Sequence, residues 1–337
     1  PTPFINSLAQ QGANFETSYS GNATCAPSRA AIMTGRYPWR SQRPVGVLNG
    51  FSRPLMENDR ATVASLLKEN GYNTAVVGKW HLGLGWVPKR EYAHLLANKR
   101  YGIDAEMNPD HIDLTAPMTV SPNTNGFDYS YVLPASLDMQ PYGYVENGKL
   151  VDPLTSFTTG KKPDTGYAGA FWRPGLMSPS FDFFDVLPGF TRKANEFLKR
   201  QTKEKPFFLY LPMPAPHTPW MPITGFIGSS GAGEYGDFVQ QVDASVGAIM
   251  RTLDSMGLAK NTMVVFTSDN GPETTSVVRM RADYGHDGAK PWRGVKRDQW
   301  EGGHRVPFLV RWPNNVAPNS SSSQTISLTD IMATCAA

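Results

Sequence analysis

Three segments of the 337-residue chain share one order of patterns, an amphipathic helix followed by a short apolar strand, and this feature restricts the fold most. The strands are expected at 74–77, 206–211 and 263–266, and the helical patterns that precede them lie at 62–71, 186–198 and 238–256. Helices that alternate with apolar strands are typical of a layered domain. We therefore expect an α/β fold built around one large, mostly parallel sheet.

Polar side chains follow each of the three strands. Lys79 and His81 come directly after the first strand, and a proline-rich loop with His217 follows the second. Asp269 and Asn270 follow the third strand. Open α/β sheets bind ligands in the crevice beyond the carboxyl ends of their strands. We therefore predict that these five residues meet at one site.

A turn that enters a helix surrounds Cys25. Pro27 stands near the first helical position, and residues 30–33 continue the helix. Cys25 would then lie at the helix N-terminus, where free amides and the helix dipole favour an anion, with Arg29 one turn further on. For a cysteine taken alone, a small buried residue beside a helix start is the commoner interpretation. The surrounding pattern has to decide between the two.

That pattern resembles the signature of the type I sulfatase family. Cys25 to Gly35 matches Cys-x-Pro-Ser-Arg-x-x-x-x-Thr-Gly at every defined position, and Gly71 to His81 resembles the second signature of the family. The resemblance looks strongest toward the arylsulfatase A and N-acetylgalactosamine-6-sulfatase branch. It continues through 216–219, 268–271, 293–296 and 300–303.

The resemblance implies a fold, a reaction and a cofactor. The fold would be an alkaline-phosphatase-like α/β/α sandwich, and the reaction the hydrolysis of sulfate esters. A formylglycine-generating maturation enzyme would convert Cys25 to formylglycine. Ca²⁺, or Mg²⁺ in its place, would be held by Asp269, Asn270 and the modified residue 25, since hard cations prefer oxygen ligands.

The resemblance also implies a role for each matched residue. One hydroxyl of the hydrated aldehyde at residue 25 would attack sulfur, and His81 would later remove the proton of the other hydroxyl. His217, with Lys296 nearby, would protonate the leaving oxygen. The remaining residues would hold the charged oxygens or contact sulfate, namely Arg29, Lys79 and Ser136.

Aromatic and charged residues in expected loops suggest the substrate. Trp172, Trp292 and His286 could pack on sugar rings or bind hydroxyl groups. We therefore expect a sulfated carbohydrate, with aryl sulfates accepted as surrogates. The alternative, that these aromatic side chains only pack the loops, stays open.

Two other functions remain open at this stage. Related hydrolases share the same aldehyde and metal chemistry, so a phosphonate or phosphate monoester hydrolase is one alternative. The other is a non-catalytic, anion-binding fragment. It arises because the relatives' first strand, with paired metal-binding aspartates, and their small C-terminal domain have no counterpart in the sequence. We expect one catalytic domain over 1–337, truncated at both ends, with a loop-rich, substrate-shaping region at 84–187.

Composition excludes some partners. The formal net charge is +3, from 32 basic and 29 acidic residues that are scattered along the chain, which argues against nucleic acid as a partner. No apolar run approaches the roughly 20 residues needed to span a bilayer. No signal peptide is visible, and two cysteines do not make a disulfide framework. The resemblance implies a periplasmic, secreted or lysosomal protein.

Overall fold

A computed structural model describes residues 1–41, 47–57, 59–97, 106–162 and 169–337 of the chain. Residues 98–105 and 163–168 of the loop-rich region predicted at 84–187 lie outside this description. No helix in the described ranges is long and apolar enough to cross a membrane.

Helices and strands alternate along most of the chain. The helices are α1 (Pro3–Gln10), α2 (Cys25–Thr34), α3 (Val63–Glu69), α4 (Val186–Leu198), α5 (Gly233–Ser255), α6 (Thr274–Tyr284), α7 (Glu301–His304) and α8 (Asp330–Ala336). The strands are β1 (Ala13–Tyr19), β2 (Asn73–Lys79), β3 (Tyr129–Leu133), β4 (Val145–Glu146), β5 (Lys149–Leu150), β6 (Ser156–Thr158), β7 (Gly175–Met177), β8 (Phe207–Tyr210), β9 (Val264–Thr267), β10 (Phe308–Arg311) and β11 (Ser320–Ser327). Short 3-10 helices lie at Pro38–Arg40, Arg90–Ala97, Pro109–His111, Pro122–Asn125 and Ala259–Asn261.

The strands form two mixed sheets and a small hairpin. One sheet has the order β5-β4-β3-β2-β8, in which β2 runs parallel to β3 and β8 while β4 and β5 are antiparallel. The other has the order β11-β1-β10-β9, in which β10 runs antiparallel to both neighbours and β1 parallel to β11. Strands β6 and β7 pair separately. The α/β class is confirmed, although the expected single sheet is divided and only partly parallel.

Helices cover both faces of the β2 sheet. Val76 of β2 faces a cluster that includes residues of α2 and α3, whereas its neighbour Val77 faces a cluster that includes residues of α4 and α5. Both valines are fully buried, as expected for a central parallel strand with helices on each side. A further cluster joins α4 and α5 with residues of both β8 and β9, the edge strands of the two sheets. The three layers therefore form an α/β/α sandwich.

Local chemistry fixes the ends of the elements that carry the site. Thr62 and Ser65 form a capping box at the start of α3. Gly35 ends α2 in the left-handed conformation, with φ of 63°. Gly78, with φ of 138°, lies so close to the loop after β8 that an added Cβ would stand 2.3 Å from the Pro212 carbonyl oxygen. Glycine at position 78 thus lets the end of β2 approach the loop that carries His217.

Candidate active site

Cys25 is the first residue of α2, and its side chain is buried, with 3% exposed. Burial alone would raise the pKa of the thiol, but the ammonium groups of Lys79 and Lys296 hold this pKa well below its ordinary value. The unpaired amides at a helix start add a further partial positive charge. The pocket around residue 25 therefore favours an anion.

Strand β2 places Lys79 and His81 in this pocket. Lys79 is buried, and its Nζ donates to Ser136 Oγ at 3.2 Å. Burial lowers the pKa of Lys79, and the positive charge of Arg29 lowers it further. Ser136 itself is fully buried and follows β3, so parallel neighbours bring the two side chains together. The structure thus unites Lys79 with the predicted serine.

His81 is buried and held in an uncommon conformation. Its φ is 57°, in the left-handed region that few residues other than glycine adopt. Its Nε2 lies 2.7 Å from the Leu48 carbonyl oxygen, so Nε2 carries a proton and donates it there. Burial lowers the pKa of His81, which favours the neutral ring. The lone pair of that ring is on Nδ1, which has no hydrogen-bond partner among the described residues and is free to accept a proton.

The loop after β8 brings His217 to the same place. Its Nδ1 donates to the Thr218 carbonyl oxygen at 2.7 Å and lies 3.1 Å from Ser136 Oγ. A proton that is fixed on Nδ1 leaves Nε2 as the nitrogen that can exchange a proton with a ligand. Asp138 Oδ1 lies 3.8 Å from His217 Nδ1, and the carboxylate also binds Arg173.

The third strand end, after β9, places Asp269 against Arg29. Asp269 Oδ2 accepts from Arg29 Nε at 2.8 Å and lies 2.7 Å from Nη2. Arg29 Nη1 donates to the Lys79 carbonyl oxygen at 2.8 Å. Burial disfavours the charge of Arg29, but the Asp269 carboxylate raises its pKa above the ordinary value. Arg29 therefore connects the ends of β2 and β9 and keeps its charge.

Lys296 completes the cationic side of the pocket. Burial alone would lower its pKa, but Cys25 and Glu273 together raise it. Its Nζ lies 3.6 Å from Glu273 Oε2, and Arg297 binds the same carboxylate. Its backbone N donates to the Pro272 carbonyl oxygen at 2.8 Å, which ties the lysine to the loop after β9.

Two residues near the site were not predicted to belong to it: Asp138 and Glu273. Asp138 is nearly buried, and its Oδ1 has no hydrogen-bond partner among the described residues. A carboxylate two positions after Ser136 was the only signal for it in the sequence. Glu273 also accepts a hydrogen bond from Thr274 N at the start of α6.

Of the predicted substrate-binding residues, Ser136 contacts Lys79 and His217 in the site, whereas Trp172, His286 and Trp292 lie in loops outside the buried pocket. Trp172 is half-buried, with its ring 4.5 Å from that of Phe183, and its Nε1 donates to Thr158 Oγ1 at 3.0 Å. His286 is exposed just after α6. Trp292 is exposed in the loop that leads to Lys296.

The described residues provide some of the oxygen donors that a hard cation such as Ca²⁺ needs. Asn270 Oδ1 is buried without a hydrogen-bond partner in the described ranges, and it stands next to Asp269. A thiol is a poor ligand for Ca²⁺, so residue 25 could serve only after conversion to an oxygen-bearing side chain. The described residues do not include a group of three His, Cys, Asp or Glu side chains that could hold a metal. Asp269 and Asn270 therefore fit one side of such a site.

The fold and the site define an α/β protein with a buried cysteine at a helix N-terminus, beside two lysines and two histidines. The Sulfatase family model matches residues 1–162 and 188–337. N-acetylgalactosamine-6-O-sulfatase of Bacteroides thetaiotaomicron is 37% identical over an alignment of 368 positions. The alignment covers 100% of the chain and 67% of the relative. Human arylsulfatase A is 32% identical, over 100% of the chain and 59% of the relative.

A solved structure agrees with these relatives. This structure comes from work on the metabolism of multiple glycosaminoglycans by Bacteroides thetaiotaomicron. It is 35% identical to the chain in sequence, with a TM-score of 0.81. The match covers 98% of the chain and 71% of that structure. The chain belongs to the sulfatase family, and the predicted branch and fold are confirmed. It spans between about half and two thirds of the length of its first curated relatives.

Proposed function

We propose that the chain is the catalytic part of a sulfuric ester hydrolase that releases sulfate through a formylglycine formed from Cys25. The observation that carries this proposal is the place of Cys25, buried at the first position of α2 beside the cationic side chains of Lys79 and Lys296. A pocket that stabilises one anion at residue 25 also stabilises the charge that develops there during attack on a sulfate ester.

The charges of the pocket suit the oxygens of a sulfate group. Lys79 and Lys296 bring two positive charges to the pocket, and the start of α2 adds free amides. Arg29 is paired with Asp269, so it orients the end of β2 more than it adds net charge. Ser136, between Lys79 and His217, can donate its hydroxyl proton to a sulfate oxygen.

The two histidines divide the proton transfers. As one hydroxyl oxygen of residue 25 bonds to sulfur, the Asp269 carboxylate accepts the proton of that hydroxyl. The bond from sulfur to the ester oxygen breaks, and His217 donates a proton from Nε2 to that oxygen. His81 Nδ1 then accepts the proton of the second hydroxyl on residue 25. The bond between carbon and the sulfated oxygen breaks, sulfate leaves, and the aldehyde forms again. Water hydrates the aldehyde, one of the two accepted protons returns to His217 and the other leaves to solvent. The sum is a sulfate monoester anion and water giving an alcohol, sulfate and a proton.

Asp269 and Asn270 would hold Ca²⁺, or Mg²⁺, together with the modified residue 25. Such an ion would supply positive charge that stabilises the charge developing on oxygen during the reaction. Asn270 Oδ1 supports this assignment, because a buried oxygen without a partner is costly unless a ligand uses it. Calorimetric titration with Ca²⁺ tests it: tight binding by the 337-residue chain, lost in Asp269→Ala, would contradict the alternative of a non-catalytic fragment.

The partners follow from the same chemistry. A formylglycine-generating enzyme has to reach Cys25, which is buried in the fold, so conversion is expected before α2 packs. The substrate is proposed to be a sulfated carbohydrate, with aryl sulfates as surrogates. Relatives named for N-acetylgalactosamine-6-sulfate support this class. A periplasmic, secreted or lysosomal compartment remains part of the proposal.

The experiment compares substrates that differ in the reacting group. The chain, coexpressed with the maturation enzyme, is assayed on nitrophenyl sulfate, on 6-sulfated N-acetylgalactosamine and on a matched nitrophenyl phosphonate. Release of sulfate at a higher kcat/KM than hydrolysis of the phosphonate supports the sulfatase. The reverse order would assign a phosphonate monoester hydrolase instead.

A further inference from the structure

Two tryptophans in the loop around Lys296 are each stacked against an arginine. The Arg293 guanidinium carbon lies 3.8 Å from the centre of the Trp300 ring, and that of Arg305 lies 4.1 Å from the centre of the Trp292 ring. Both rings stay exposed, Trp292 by 39% and Trp300 by 43%. These four residues are called the tryptophan–arginine rim.

The rim is attached directly to the candidate active site. Gly302 N donates to the Arg293 carbonyl oxygen, which closes the loop on itself. Gly271 N, two positions after Asp269, donates to the Gly303 carbonyl oxygen at 2.8 Å. Arg297 N donates to the carbonyl oxygen of Ala23, two positions before Cys25, at 2.9 Å. Backbone hydrogen bonds therefore hold the loop that carries the rim next to the segments that carry Asp269 and Cys25.

The two arginines of the rim differ in their ion pairs. Arg305 pairs with Glu301 at 2.9 Å and also donates to the Glu16 carbonyl oxygen, so it is held in the fold. Arg293 is exposed, and the described residues provide it with no carboxylate partner within 4.0 Å. The carbon of its guanidinium lies over the Trp300 ring, and its N–H donors can bind an anion. The rim therefore offers a free cation beside a flat apolar face.

This combination fits one class of ligand. An aromatic face packs on the C–H face of a sugar ring, and a guanidinium binds a sulfate or carboxylate through paired hydrogen bonds. A neutral glycan would leave Arg293 without a partner, and an isolated inorganic anion would leave the Trp300 ring exposed. A chain in which sugar rings carry sulfate or uronate groups satisfies both residues.

We infer that the tryptophan–arginine rim is a second saccharide subsite, which binds an anionic sugar unit adjacent to the unit whose sulfate is removed. The inference rests on the proposed function and extends it from a single sulfated unit to a chain of at least two. Arg293 binds the sulfate or carboxylate of this neighbouring unit, and Trp300 supports its ring. Trp292, held by Arg305, extends the same surface.

The test compares chain lengths in matched variants. The converted full chain is assayed on 6-sulfated N-acetylgalactosamine and on a 6-sulfated chondroitin tetrasaccharide. Arg293→Gln and Trp300→Ala are each expected to lower the kcat/KM ratio of tetrasaccharide to monosaccharide by about fivefold or more, mainly through KM. Trp39→Ala is the control, because Trp39 is exposed by 66% and stacks on Tyr37 beyond the opposite end of α2. It should leave the ratio unchanged.

Salt and binding separate this inference from the proposed function. The tetrasaccharide advantage should shrink as NaCl is raised, since exposed charges are screened. If the wild type hydrolyses no sulfate ester, the proposed function fails, but calorimetry on Cys25→Ala with the tetrasaccharide still tests the rim. Weaker binding after Arg293→Gln supports the subsite. The subsite is overturned if Cys25→Ala binds the tetrasaccharide equally well with and without Arg293→Gln. It is also overturned if the kcat/KM ratio of tetrasaccharide to monosaccharide is equal in all variants.

Discussion

Arg29 Nε donates a hydrogen bond to Asp269 Oδ2 at 2.8 Å, and the same carboxylate oxygen lies 2.7 Å from Arg29 Nη2. The third nitrogen of Arg29 donates to the Lys79 carbonyl oxygen, so one buried side chain joins the ends of two strands from different sheets. Arg29 thus sets the distance between the end of β2, which carries Lys79, and the end of β9, which leads to Asp269. The pair of Arg29 and Asp269 therefore stabilises the fold and also belongs to the candidate active site.

Asp269→Asn is expected to lower the free energy of unfolding by about 3 kcal/mol, because it leaves the buried Arg29 charge without its partner. Chemical denaturation with urea measures the change. Asp254→Asn, on the exposed side of α5, is the control and should change stability by less than about 0.5 kcal/mol. Equal stabilities for the two variants would show that the pair contributes no net stability.

The Cys25 thiol of the unconverted chain should ionise at a lower pH than an ordinary cysteine. Lys79 and Lys296 hold the pKa of Cys25 well below its ordinary value, whereas burial raises the pKa of Cys335. Thiolate absorbance at a pH about one unit below the ordinary cysteine value of about 8.5 should therefore come from Cys25 alone. It should fall on unfolding, vanish in Cys25→Ser, fall in Lys79→Met, and persist in Cys335→Ser. Absorbance that persists in Cys25→Ser would contradict the assignment.

The helices that carry the site could be predicted because their signals are local. Thr62 as N-cap and the apolar pattern after it predicted α3, and the structure has Val63–Glu69 there. The long amphipathic pattern expected at 238–256 belongs to α5, which begins earlier, at Gly233. Strand pairing was less predictable. Strand β11 has the polar sequence Ser-Ser-Ser-Ser-Gln-Thr-Ile-Ser, and it is a strand because it pairs with the distant β1.

The site was predictable where a residue follows a strand, and not where its role depends on a distant partner. Lys79 is the last residue of β2, and His217 and Asp269 follow β8 and β9, so the rule that ligands bind beyond strand ends identified all three. Asp138 and Arg173 are 35 positions apart, and only the folded chain shows that they form an ion pair beside His217.

Asp138 should make stability depend on pH at the acid end. Burial alone would raise the pKa of this carboxyl, but His217 and Arg173 hold it below its ordinary value. The stabilisation it provides is therefore complete above the unfolded pKa of about 3.9 and is lost as the pH falls through the lower folded value.

Asp138→Asn is expected to cost about 2 kcal/mol at neutral pH, typical of hydrogen bonds to a charged group, and less as the pH falls below 4. Urea denaturation at several pH values measures this difference. Asp110→Asn, on an exposed 3-10 helix, should show no such dependence. A cost that stays constant down to the lowest pH would contradict the account.

Trp172 and Trp292 should respond differently to substitution by alanine. Trp172→Ala removes packing on Phe183 and a hydrogen bond to Thr158, and we expect a loss of about 2 kcal/mol in stability in addition to any loss on sugar sulfate. Trp292→Ala should cost less than about 1 kcal/mol because the ring is partly exposed. Its activity should fall on sugar sulfate and not on nitrophenyl sulfate. Equal losses on both substrates would assign both residues to packing.

The central claim is that residue 25, after conversion, is the nucleophile of a sulfatase. The most direct measurement is sulfate release by preparations of the chain that differ in the fraction of formylglycine at residue 25, determined from the mass of the peptide that contains it. Conversion of cysteine removes sulfur and two hydrogens and adds one oxygen, so the two forms are separated by mass. We predict a rate proportional to the converted fraction, with no activity in Cys25→Ala. Sulfate release by a fully unconverted preparation, or by Cys25→Ala at the wild-type rate, would contradict the claim.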